Sequence, residues 1–156
     1  MNQVVNIVLA GLGGQGVIKA SDILAEAAFR TGLDVKKAEV HGMSQRGGSV
    51  TSDVRFGPKV FSPMVPVGEA DFLVVLDATQ VENNRHILKT NGKLIGPEAV
   101  REEDLANRKS INVALLGVLS RELDLPESTW LAALAATLPE KLLEANRKAF
   151  ALGRGN

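Results

Sequence analysis

The sequence predicts an α/β fold built on a layered sheet. An apolar run at 4–10, "VVNIVLA", stops at a glycine turn and gives way to a helical pattern. A second apolar run at 71–77, "DFLVVLD", repeats the change from strand to helix, and beyond Ser110 the pattern is helical throughout. Alternation of this kind points to sheet and helix layers packed on one another. With 45% apolar residues among 156, the chain can bury one core without staples, so residues 1–156 are expected to form a single domain.

The first run has the length and two-sided apolar character of a central strand in a parallel sheet. After "GLGGQG", Ile18, Ile23, Leu24, Ala27 and Ala28 fall at helical spacing, and Gly32 is a natural C-cap for a helix over 17–31. "DVKKAEV", 34–40, has weaker strand character and completes a βαβ unit with a parallel crossover. In "VTSDVRF", 50–56, Val50, Ser52, Val54 and Phe56 alternate with Thr51, Asp53 and Arg55; Gly57-Pro58 then predicts a half-exposed hairpin with "KVFS". A polar helix is expected from about Thr79 to Thr90, ending at Asn91-Gly92 before the short strand "KLIG". Three helices follow, "INVALLGVLSREL", "PESTWLAALAATL" and "PEKLLEANRKAFALG", the last two opened by Pro126 and Pro139. Trp130 shares a stripe with Leu134 and Leu138 and reads as packing.

Charge excludes some partners. Eighteen basic residues balance eighteen acidic ones, so no field gathers nucleic acid or an anionic membrane. No run reaches the roughly 18 apolar residues of a membrane span, and Met1 to Ala10 lacks a basic segment ahead of its apolar stretch, so a cytoplasmic location is expected. The chain has no cysteine, which removes thiolate nucleophiles and the usual ligands of iron–sulfur clusters.

Two glycine-rich segments hold the candidate site. Gly11, Gly13 and Gly16 satisfy GxGxxG between strand and helix, a spacing that lets backbone approach a pyrophosphate at a helix N-terminus. Glu39, 23 residues past Gly16, stands roughly where a ribose-binding acid would in an NAD(P)-binding domain. The plainer reading, glycines that permit a tight turn and close packing, stays open beside it. The doubled glycine, Gly14, and Gln15 are unusual for a dinucleotide fold. A P-loop is excluded, because Val17 and Ile18 occupy the positions where Lys and Ser/Thr must hold phosphate and magnesium.

The second segment, "HGMSQRGGSV" at 41–50, carries His41, Ser44, Gln45 and Arg46 among glycines. Gly42, Gly47 and Gly48 allow positive φ, so successive N–H groups can converge on a phosphate or carboxylate, and Arg46 adds a forked cation. The alternative is a bulge into the next strand, with Arg46 solvated or paired to Asp53 or Glu39. His41 reads as a loop anchor rather than an acid/base group, Ser44 lacks the GxSxG elbow of a nucleophile, and His86 as a solvated side chain. Two isolated histidines make no metal site. Asp77 reads as a cap for the following helix.

"GLGGQGV" followed by "EVHGMSQRGGSV" resembles the γ-type subunits of 2-oxoacid ferredoxin oxidoreductases, the indolepyruvate branch in particular. The likeness continues through "KVFSPMVPVGEADFLVVLDATQ", "NVALLGVLS" and "LLEANRKAFALG". It implies a three-layer α/β/α domain with a largely parallel, mixed sheet and no catalytic residue of its own. It also implies a large partner subunit carrying thiamine diphosphate and iron–sulfur clusters, coenzyme A as co-substrate, and ferredoxin reached through the complex. Both glycine motifs belong to its signature, so Gly11, Gly13, Gly14, Gln15, Gly16, His41, Ser44, Gln45, Arg46, Gly47 and Gly48 are the expected cofactor-binding residues, on loops at the subunit boundary. It implies further a longer stretch between "KLIG" and "NVALLG" than the 14 residues "PEAVREEDLANRKS" supply; either the chain is truly shortened there or a segment is missing, and the second is the expectation.

Overall fold

A computed structural model describes residues 3–41 and 48–155, with the backbone alone for His41. Strand β1 (Val5–Leu12) is buried over seven of its eight residues. Gly16, at φ 84°, starts α1 (Val17–Arg30), which buries Ala20, Ile23, Leu24, Ala27 and Ala28 along one stripe. Thr31 closes that helix by donating its hydroxyl to the Ala27 carbonyl, and Gly32, at φ 89°, reverses the chain.

Strands β2 (Asp34–His41), β3 (Ser49–Gly57), β4 (Ala70–Val75) and β5 (Leu88–Ile95) complete a five-stranded sheet in the order β2-β3-β1-β4-β5. β1, β4 and β5 are mutually parallel, while β3 runs antiparallel to both β1 and β2. The sheet is thus mixed, and helices α1, α3 (Ile111–Ser120), α4 (Glu127–Thr137) and α5 (Glu140–Arg154) enclose its larger core. Ile7, Leu9, Val54, Phe56 and Val74 meet them from the sheet, with Trp130 and Phe150 stacked at 5.6 Å between α4 and α5. Each fully buried Ile or Leu contributes about 1.5–3 kcal/mol. Backbones touch where α3 crosses α5: a Cβ on Gly117 would strike the Phe150 carbonyl, and one on Gly153 the Ala114 carbonyl.

The second face is covered more thinly. Val8, Ala10, Leu73 and Val75 lie beneath Val65 of the 58–69 segment and beneath Val81 and Ile87. Those last two belong to a string of short turns, Ala78–Gln80, the four-residue helix α2 (Val81–Asn84) and Arg85–Ile87.

Three expectations are corrected. β2 runs in the direction of β1 but does not neighbour it, because β3 enters between them; the parallel crossover is a split one. β3 does not pair with "KVFS": it is hydrogen-bonded on both sides, and Ser52, Asp53, Val54 and Phe56 are buried. Pro58, Pro63 and Pro66 cannot donate to a ladder, so the 58–69 segment crosses the sheet as a loop. The helix expected over 79–90 shrinks to the turns at 78–87, and β5 begins at Leu88. Asn91-Gly92 is no helix stop; it lies in an irregular stretch of β5 facing Asp71, where a Cβ on Gly92 would come within 2.7 Å of the Ala70 carbonyl. Trp130 and Leu134 are buried as expected, and Leu138 packs against that core from a half-buried position.

Candidate functional site

The C-terminal ends of β1 and β4 meet where the chain leaves toward opposite faces of the sheet, a position at which α/β folds bind ligands. The first glycine segment lies there. Gly11 is still strand, opposite Val50, and Leu12 is opposite Ser49. Gly13 donates its N–H to the Gly48 carbonyl at 2.9 Å, so the two glycine segments meet through backbone. Gly14, at φ 89°, is exposed, and a Cβ there would touch nothing. Gly16 is held more tightly: its φ is 84°, and a Cβ would come within 2.5 Å of Asn112 Nδ2, which donates to the Gly16 carbonyl.

Gln15 is the centre of a polar latch. Its Oε1 accepts the Leu12 N–H at 2.7 Å, and its Nε2 donates to Asp77 at 2.8 Å, joining the ends of β1 and β4. Asp77 caps the following turn as expected, accepting from the Thr79 amide and hydroxyl. The Thr79 hydroxyl, the Thr79 amide and the Gln15 amide hold the Asp77 carboxyl below its ordinary range. Ser49 donates to Gln80 Oε1 at 2.8 Å, fastening the start of β3 to the same turn.

Beside this latch lies an open depression of about 400 Å³ lined by Leu12, Gly13, Gly14, Val17, Lys19 and Val50. No acidic residue stands in the first turn of α1, and Lys19 is exposed. The helix dipole and that ammonium make the depression hospitable to negative charge. Among the described residues it holds no nucleophile with a base and no His/Cys/Asp/Glu cluster that could hold a metal ion, and Asp77 is engaged by three hydrogen bonds. The described arrangement can bind and position an anionic group.

Of the expected site residues, Gly11, Gly13, Gly14, Gln15, Gly16 and Gly48 come together here. His41 ends β2 with its backbone opposite Val50. Ser44, Gln45, Arg46 and Gly47 lie outside the described residues. Asn112, Ser49 and Gln80 escaped sequence reasoning; an asparagine at the head of the otherwise apolar "INVALLGVLS" was the one available signal. Glu39 does not serve as a ribose acid. It sits on the edge strand with β3 between it and β1, and it binds Lys37 Nζ at 2.6 Å. Asp53 accepts from the Val65 amide. His86 is exposed.

The family model for pyruvate ferredoxin/flavodoxin oxidoreductase matches residues 6–102 and 97–155. The chain belongs to this family. It is 36% identical over 190 aligned residues to indolepyruvate oxidoreductase subunit IorB of Thermococcus kodakarensis, covering 95% of this chain and 93% of that one. The crystal structure of the keto/oxoacid ferredoxin oxidoreductase γ subunit from Geobacter sulfurreducens shares the fold, with a TM-score of 0.78 at 24% identity over 97% of this chain and 94% of that one. The 2-oxoglutarate:ferredoxin oxidoreductase of Magnetococcus marinus contains the same fold as 31% of a longer chain, with a TM-score of 0.83 at 21% identity over 99% of this one. About 148 of the 156 residues fill the 190 positions aligned with the Thermococcus protein, so about 42 positions have no counterpart here. The two stretches matched by the oxidoreductase family meet at 97–102, directly after β5. In this chain three short turns, Pro97–Ala99, Glu102–Asp104 and Arg108–Ser110, lead from there to α3.

Proposed function

We propose that residues 1–156 act as one γ-type domain, the non-catalytic small subunit of a heteromeric, thiamine diphosphate-dependent oxidoreductase for indolepyruvate or a related arylpyruvate. In that reaction the 2-oxoacid loses CO2, the acyl group passes to coenzyme A, and the electron pair passes through iron–sulfur clusters to ferredoxin. The complex works in the cytoplasm, away from nucleic acid and membranes; among the described residues no helix is long and apolar enough to cross a membrane.

The observation that carries the reading is the backbone hydrogen bond from Gly13 to Gly48, which fuses both glycine segments into one rim at the strand ends. Among the described residues its neighbourhood offers amide groups, a helix N-terminus and Lys19, and no group suited to redox or nucleophilic chemistry. Iron–sulfur clusters do not fit this chain, which has no cysteine thiolate to hold one, and we place thiamine diphosphate with them. They belong to the large subunit, and the rim faces its active site or the path of coenzyme A. Gly13, Gly14 and Gly16 with Gln15 shape one side of that rim and Gly48 meets it from the other; His41, Ser44, Gln45, Arg46 and Gly47 are assigned to the same function from the family signature alone.

Coexpression with the thiamine-dependent, cysteine-rich chain of the same genome tests this. The two should copurify, and Arg46→Ala should lower turnover of the complex by roughly 10-fold or more, the effect of one lost charge-assisted contact, while assembly persists. Nicotinamide binding by the isolated chain, or unchanged turnover by the variant, would contradict the reading.

A further inference from the structure

Asn112 is an amide side chain near the head of α3, 8% exposed in a helix whose following residues Val113, Ala114, Leu115 and Leu116 are apolar and buried. Burying an amide costs free energy unless its polar ends are hydrogen-bonded, and a leucine would fill the space without that need. The amide is used for reach. Its Oδ1 accepts the Val113 N–H at 2.9 Å, and its Nδ2 donates to the Gly16 carbonyl at 3.2 Å, 96 residues away in sequence. The reverse orientation would turn an oxygen toward that carbonyl, so the hydrogen-bond network fixes which end faces Gly16. α3 is a rigid post for this contact, since its backbone touches that of α5 at Gly117 and Gly153.

The Gly16 carbonyl and the Val17 N–H belong to one planar trans peptide and point in opposite directions. A donor that pins the carbonyl therefore also aims the N–H. The same carbonyl accepts the Ala20 N–H at 3.0 Å, the first hydrogen bond of α1. Gly16 offers no side-chain cap and no acidic residue stands in the first turn, so among the described residues the amides of Val17 and Ile18 have no side-chain acceptor. Both residues line the depression with Lys19, whereas Asn112 does not. We infer that Asn112 is a positioning residue of the rim: by holding the Gly16 peptide it aims the first amides of α1 at the phosphate of a reactant that it does not itself touch. The inference rests on the small-subunit reading, which supplies two phosphate-bearing candidates, coenzyme A and thiamine diphosphate.

Ferredoxin reduction by the assembled complex tests this, with coenzyme A, thiamine diphosphate and indolepyruvate titrated in turn for the natural small chain and for Asn112→Ala. Asn112→Leu, close in volume and without a donor, repeats the comparison in case the alanine variant does not fold. The half-saturating concentration of at least one phosphate-bearing reactant should rise roughly 10-fold, the size of one weakened hydrogen bond to a charged group. That of indolepyruvate should stay in place and kcat should be retained at saturation, the signature of lost binding rather than lost chemistry. The curve that moves identifies the phosphate. Unmoved curves for both phosphate compounds, with or without a fall in kcat, overturn the assignment alone, as does an equal shift of all three curves. Loss of folding in both variants makes Asn112 a packing residue and also overturns it. A natural complex that does not form or turn over overturns the small-subunit reading and this inference with it.

Discussion

Gln15 shows how one side chain can join the ends of two strands. Its amide uses both ends, taking the Leu12 N–H and giving a proton to Asp77. Gln15→Ala should cost roughly 1–3 kcal/mol for two lost hydrogen bonds, measured by urea denaturation at neutral pH. The pH dependence has a definite sign. The hydroxyl and amide of Thr79 and the amide of Gln15 hold Asp77 below its ordinary value of 3.8. A carboxyl depressed in the folded state stabilises fully above its unfolded value and loses that stabilisation as pH falls through the folded one. The cost of Gln15→Ala should therefore stay flat from neutral pH down to about 5 and shrink only in acid below 3.8. Gln15→Glu should cost more at neutral pH than in acid, because it sets two carboxylates side by side. Sequence alone showed Gln15 as an oddity for a dinucleotide turn and Asp77 as a cap, and both observations held. Their contact spans 62 residues and is set by strand pairing, which no local pattern encodes.

At the scale of elements, legibility followed periodicity. β1, α1, β4 and the three C-terminal helices were readable because each buries a stripe or a two-sided run that the residue pattern repeats. The 78–95 stretch was not. Its polar residues satisfy one another locally, as Asn84 does by donating to the Gln80 carbonyl, and Leu88 onward extends to pair with β4. The hairpin after β3 failed for a different reason, since three prolines forbid the ladder and the alternation of β3 serves two neighbours within the sheet. The helical patterns gave no special place to Gly117 and Gly153, yet these glycines let α3 and α5 cross in backbone contact. Gly153→Ala places a Cβ against the Ala114 carbonyl and should lower stability by about 1–3 kcal/mol, with the denaturant slope unchanged. A neutral effect would mean that α5 can slide along α3 without loss.

For the whole molecule, the α/β class and the mixed sheet were legible, the class from alternation and the mixed, three-layer form from the family likeness. Strand order was not, because β3 enters between β2 and β1 by way of the 42–48 connection, and a short loop permits a hairpin as readily as it permits a crossover. The consequence reaches function: β3 carries Gly48 to Gly13 and moves Glu39 to the far edge, closing the rim while removing the acid a dinucleotide would need. What remains is a surface with amides and a helix end, on a chain without cysteine. The most direct measurement is reduction of ferredoxin by indolepyruvate and coenzyme A, followed with each chain alone and with the two recombined. The account predicts no reduction by the small chain and full activity only on recombination, rising with added small chain to saturation; sustained reduction by the small chain alone would contradict it.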